Sequence, residues 1–161
     1  MISKEFEFIY IAIRKTGSAS MNLWLKKNFN ATPIGFYHDF VVPEKYKDYC
    51  IFTLIRNPYD RALSGYYAER TGNSKGKTFE KYIYDMILWR DYGCPNGDNL
   101  FRYRTQLNIV EISFAKYIIK LEELDMSVLP FMKNRTWDTI PHIRKSPGKP
   151  QGNAIDILER R

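Results

Sequence analysis

The chain is poor in the residues that build redox and zinc chemistry. Its 161 residues include two cysteines, Cys50 and Cys94, and two histidines, His38 and His142. Two cysteines make no disulfide framework, and four ligands scattered singly have no zinc spacing. Cys50 opens an apolar run and reads as a small core residue. A metal held by carboxylates stays open as a class, but no pattern calls for one, and the expectation is no metal. No apolar run approaches the roughly 20 residues needed to cross a bilayer. The opening MISKEFEF has no signal-peptide core. The expectation is therefore a soluble, cytoplasmic chain with no membrane segment. The nucleotide P-loop G-x-x-x-x-G-K-[ST] is also missing, which argues against an ATPase.

What is present describes a globular domain. Hydrophobic residues make up 44% and aromatics 16%, which excludes a disordered tail. The length suits one domain with a proper core, and no boundary or internal repeat is visible along 1–161. A net charge of +7 suits an anionic partner, or simply a basic soluble surface. Residues 133–150 hold five Lys/Arg against one Asp, a net +4 that reads either as a solvated face or as a track for an anionic polysaccharide.

The hydropathy pattern alternates between strand-like and helix-like segments. Residues 6–13 and 50–55 read as buried strands, 32–36 as a short strand and 114–121 as a further one. Residues 21–29 read as a helix with Leu23, Trp24 and Phe29 on its apolar side. Asn57 and Pro58 suit the start of another helix. Residues 78–90 are amphipathic, with Phe79, Tyr82, Ile83, Met86 and Ile87 as the core stripe. Tyr66 and Tyr67 are expected to split between core and cleft. Shorter helices are expected near 100–107, over EELDMSVLPFM and at the end of the chain. Such alternation predicts an α/β fold: a three-layer domain with a central parallel sheet flanked by helices.

Two strand exits carry the chemistry. The first strand runs into Arg14, Lys15, Thr16, Gly17, Ser18, Ala19 and Ser20, and then a helix. A loop entering a helix from a parallel strand aims backbone N–H groups at one spot, where the helix N-terminus adds partial positive charge. Gly17 permits close approach, the hydroxyls add donors and Lys15 adds a full charge. An ordinary capped turn would use similar residues. The second exit, RNPYDRALSGYY, puts Arg56 at a strand end and Ser64 about two turns into a helix.

Together, KTGSAS and RNPYDRALSGYY resemble the sulfotransferases that use 3′-phosphoadenosine 5′-phosphosulfate (PAPS). The resemblance is closest to the carbohydrate branch, including the uronyl 2-O-sulfotransferases of glycosaminoglycans. It continues through IIKLEEL and HIRKS. It implies that Lys15 through Ser20 hold the 5′-phosphosulfate and that Arg56 and Ser64 hold the 3′-phosphate. It implies that Lys15 stabilises the leaving phosphate oxygen. His38 lies where the glycosaminoglycan branch has its catalytic base, with Asp39 and Glu44 in reserve. Arg144 and Lys145 match a late loop closing over the cofactor, and His142 is structural or belongs to that loop. Glu122 matches a family acidic residue. Arg14 stands where proline is usual, a departure that either alters the loop or adds an anion contact, and it is counted with the expected cofactor-binding residues.

Sulfonyl transfer requires positioning and stabilisation of charge on the leaving oxygen, which a lysine and oriented amides supply. A histidine suits the role of base toward an acceptor hydroxyl. The expected acceptor is a saccharide hydroxyl, ahead of small-molecule hydroxyls, amines and peptide tyrosine. The competing reading is a non-catalytic domain that keeps the fold and binds anions or nucleic acid. Its Lys/Arg are not interleaved with aromatics as stacking on single strands would want, which argues against nucleic acid.

Overall fold

Phe8, Ile9, Tyr10 and Ile11 are all buried, as expected of a strand covered on both faces. The computed structural model describes residues 1–34, 42–69, 76–92, 113–133, 136 and 138–141. The chain divides into two compact units. One comprises Met1–Arg56 with Gln106–Arg144, the other Asn57–Thr105 with Lys145–Arg161.

The first unit holds a four-stranded sheet in the order β1 (Ile2–Ser3), β2 (Phe8–Ile11), β3 (Cys50–Ile55), β4 (Tyr117–Lys120). β1 pairs antiparallel with β2, while β2, β3 and β4 run parallel. The register sets Phe8 against Cys50 and Ile11 against Thr53, then Phe52 against Tyr117 and Ile55 against Lys120. Helix α1 (Ser18–Phe29) crosses between β2 and β3. Its Met21, Trp24, Leu25 and Phe29 join Phe8, Tyr10, Phe52 and Leu54 in the larger core. Phe131 stacks on Phe8 with ring centroids 4.4 Å apart. The opposite residues, Ile9, Ile11 and Ile51, pack with Val42, Tyr46 and Tyr49. The architecture is α/β, a mostly parallel sheet with flanking helices.

Several expectations change in detail. The first strand is four residues long, and β1 before it was not anticipated. Only Thr32, bridged to Ile2, is strand-like within 32–34. Leu23 is 52% exposed, and Leu25 takes its place inward. The helix over EELDMSVLPFM is replaced by three 3₁₀ turns, Leu121–Glu123, Met126–Val128 and Pro130–Met132. The reasons are local. The Asp125 carboxylate accepts from Ser127 N at 2.9 Å, and Leu129, before Pro130, is extended at φ −82° and ψ 132°. Cys50 is half-buried, and burial pushes its thiol up to about 11, so it is not a thiolate nucleophile at neutral pH. The helices expected near 100–107 and at the C-terminus lie outside the described residues, as does Cys94.

The second unit contains α2 (Pro58–Glu69) and α3 (Phe79–Tyr92). Asn57 Oδ1 accepts from Tyr59 N at 3.0 Å, and Thr78 Oγ1 accepts from Lys81 N at 3.3 Å, so both helices have the start the residues suggest. Leu63, Tyr66, Tyr67 and Tyr82 form the core, with Phe79, Ile83 and Met86 against it. Both Tyr66 and Tyr67 are therefore core residues. Ile87 is 48% exposed, against expectation. A side chain on Gly65 would collide with the Tyr82 hydroxyl, so the glycine permits the helices to touch there.

Asp85 ties this unit together through Lys77 Nζ at 2.8 Å and Lys81 Nζ at 3.0 Å. Desolvation pushes its carboxyl up, but the two lysine hydrogen bonds outweigh it and hold the pKa below the usual range. Stability from a lowered carboxyl is complete above its unfolded pKa and lost as pH falls through the folded one. Asp85→Asn should therefore destabilise the unit at neutral pH, with the gap to wild type closing in acid. Urea unfolding across that range is the check; a gap independent of pH would remove the lysine pairing as the cause.

Candidate functional site

The turn after β2 has an unusual backbone. Lys15 has φ 67° and Gly17 φ 79°, both left-handed. Glycine takes this freely, while a lysine there costs about 1–2 kcal/mol. Thr16, between them, is fully buried, and its hydroxyl donates to the Ile13 carbonyl at 2.9 Å. That hydroxyl braces the turn. Helix α1 then begins three residues earlier than the sequence pattern suggests, so Ser18, Ala19 and Ser20 form its first turn.

The N-cap of α1 is Gly17, which makes no side-chain capping bond, and the first turn carries no acidic residue. The ordinary capped turn is thus not what forms here. The N-terminal amides and the positive end of the helix dipole face the turn without a carboxylate of their own, an arrangement that suits an anion. Cations sit beside it. Arg14 and Lys15 are in the turn, and Arg56 follows β3 directly. Arg56 Nη1 donates to the Lys15 carbonyl at 3.3 Å. The exits of β2 and β3 therefore share one sheet edge, where ligands bind in parallel sheets. β4 contributes too: a Cβ at Gly17 would lie 3.3 Å from Leu121 Cδ1, in the 3₁₀ turn that follows this strand.

Ser64 is buried on α2, in the second unit, as is Arg61, whose guanidinium pKa burial lowers. Glu44 pairs on the surface with Lys47 at 2.6 Å, and Glu122 is exposed in the turn after β4. His38, Asp39, His142, Arg144 and Lys145 lie outside the described residues. Among the described residues no group of His, Cys, Asp and Glu is arranged to hold a metal, and no helix is long and apolar enough to cross a membrane. Sequence reasoning missed the Arg56 contact with the Lys15 backbone and the support from Leu121. Neither leaves a sequence signal, because both join residues far apart in the chain.

Gly17 and Gly76 form a natural pair of controls. Both have positive φ, but among the described residues nothing lies within 4 Å of a Cβ at Gly76. Gly76→Ala should cost only backbone strain, about 1–2 kcal/mol. Gly17→Ala should cost more, because the strain adds to contact with Leu121. Urea unfolding of both variants tests this, and equal losses would show that Leu121 gives way freely.

The family model of the sulfotransferase family matches residues 1–137, most of the chain. No curated protein and no solved structure matches it significantly. The matched region takes in the strand–turn–helix from Phe8 to Phe29 with its uncapped helix start, the Arg56 exit and the turn after β4. With an α/β sheet of the expected kind beneath these features, the chain belongs to the sulfotransferase family.

Proposed function

We propose that the protein transfers a sulfonate group from PAPS to an acceptor hydroxyl, with a carbohydrate as the acceptor class. The observation that carries this reading is the left-handed Lys15 turn at an uncapped helix start, with Arg56 from the neighbouring strand bonded to it at 3.3 Å. The residues suit a donor with phosphate at both ends. The amides of Thr16 through Ser20 and the Lys15 ammonium would hold the 5′-phosphosulfate. Arg56 would hold the 3′-phosphate, and the motif's spacing assigns Ser64 to the same phosphate. Arg14 adds charge, and Arg144 and Lys145 are assigned to the cofactor by their place in HIRKS.

In the reaction the acceptor oxygen forms the new O–S bond while the S–O bond to the 5′-phosphate breaks. The electron pair of the broken bond stays on the phosphate oxygen, where Lys15 and the helix amides stabilise it. The acceptor proton goes to His38. The products are a sulfate ester and 3′-phosphoadenosine 5′-phosphate. The choice of a saccharide rests on the resemblance around His38 and on the basic stretch 133–150. Incubation with ³⁵S-labelled PAPS and an acceptor array of saccharides, phenols, amines and tyrosyl peptides tests it. Label on saccharides is expected. Binding without transfer to any acceptor would favour the non-catalytic domain.

Two substitutions divide the roles. Arg56→Ala should weaken 3′-phosphoadenosine 5′-phosphate roughly tenfold or more beyond its effect on adenosine 5′-phosphate, as loss of a charge-assisted contact implies. Calorimetric titration reads both, and equal losses would take Arg56 away from the 3′-phosphate.

His38→Ala should lower transfer by about 10²–10⁴-fold with cofactor affinity nearly intact, whereas Lys15→Ala should damage both. The wild-type rate should fall in acid as the histidine protonates, and His38→Ala should lose that limb of the pH profile. Near-normal turnover of His38→Ala would move the base to Asp39 or Glu44.

A further inference from the structure

We infer that Arg56 is also a positioning residue for Lys15, holding the lysine's backbone in its left-handed conformation and so linking the 3′-phosphate end of the crevice to the sulfonate end. The inference rests on the proposed reading of Lys15 and Arg56 as cofactor residues and adds a second job for the arginine.

The turn is a strained object whose supports can be named. Its flanking residues are held from below. Thr16 is anchored through its hydroxyl to Ile13 O at 2.9 Å, and Gly17 rests near Leu121. Lys15 has φ 67°, and its carbonyl receives Arg56 Nη1 at 3.3 Å. That donor comes from the adjacent strand, 41 residues away, and it is half-buried, where a hydrogen bond is screened less than at the surface. A guanidinium carries five N–H donors in a rigid planar fork. One edge can hold a backbone carbonyl while another meets a phosphate, which a lysine ammonium at this position would do far less well. A phosphate that fixes the fork then also fixes the Lys15 carbonyl, and with it the start of the Lys15 side chain. Linkage requires the converse as well: a correctly set turn presents Arg56 to the phosphate.

Adenosine 5′-phosphate is the decisive probe, because it occupies the 5′ end and has no 3′-phosphate. It would be titrated calorimetrically into wild type, Arg56→Ala, Lys15→Ala and the double variant, alongside 3′-phosphoadenosine 5′-phosphate. Arg56→Ala is expected to weaken adenosine 5′-phosphate about fivefold, the scale of one net hydrogen bond. In the Lys15→Ala background the same change is expected to alter its affinity less than about twofold, because the side chain being positioned is gone. Arg56→Lys, which keeps the charge and the fold but drops the fork, should retain most of the loss.

Unchanged adenosine 5′-phosphate affinity in Arg56→Ala would overturn the inference. So would a full loss persisting in the Lys15→Ala background, since Arg56 would then act as a distant charge or as a fold element. Wild-type affinity in Arg56→Lys would overturn it too. The underlying reading fails differently: a loss for 3′-phosphoadenosine 5′-phosphate no larger than for adenosine 5′-phosphate removes the 3′-phosphate from Arg56, and the linkage with it.

Discussion

Parallel pairing of β2 with β3 is the constraint on which the candidate site depends. The two strands leave the sheet in the same direction, so the Lys15 turn and Arg56 emerge at one edge. The register is pinned from inside. Thr53 is fully buried, and its hydroxyl donates to Ile11 O at 2.8 Å across the pair. A one-residue slip of β3 against β2 would turn Phe52 and Leu54 away from α1 and bring Ile51 toward it. The aromatic core therefore does more than stabilise. It sets the strand register that puts a guanidinium within reach of the Lys15 carbonyl.

Helix α1 is satisfied at one end and open at the other. At its C-terminus Asn30 takes the left-handed conformation, Lys26 and Lys27 complement the dipole, and Lys27 pairs with Asp138. Trp24 Nε1 donates to the Asp138 carbonyl at 2.7 Å, tying the chain beyond the sheet back to this half of the helix. At the N-terminus there is neither a side-chain cap nor a first-turn carboxylate. An aspartate there would stabilise the helix by about 0.3–1 kcal/mol. It would also occupy the place of an anionic ligand. The strained Lys15 turn is of the same kind: local stability is forgone at the point where the proposed chemistry would need donors aimed outward.

Much of this was legible in the sequence, for a physical reason. Buried parallel strands must be apolar on both faces, so FIYI and CIFTLI stand out without any partner being known. The polar exit into α1 combines glycine, hydroxyls and cations, which is why Arg14 through Ser20 and Arg56 stand out in the sequence as candidates for holding an anion. Asn57 before Pro58 announced the start of α2 because both residues act on their immediate neighbours. Local rules also explain one failure. EELDMSVLPFM has apolar residues at helical intervals, yet Asp125 and Pro130 each impose a backbone conformation that a continuous helix cannot accept.

What the sequence by itself determined was the kind of element, the two polar exits and the chemical character of the loop. Only the tertiary structure decided which residues of that loop face outward and what holds them. Thr16 looked like a ligand hydroxyl and proves to be a buried brace, because Ile13 O lies beneath it. Leu25 rather than Leu23 points to the core, because the helix starts at Ser18 and its phase is set by Gly17. Leu121 reaches Gly17, and Arg56 reaches Lys15, across gaps of 104 and 41 residues. No periodicity or propensity encodes such contacts, since they exist only once the three parallel strands are in register.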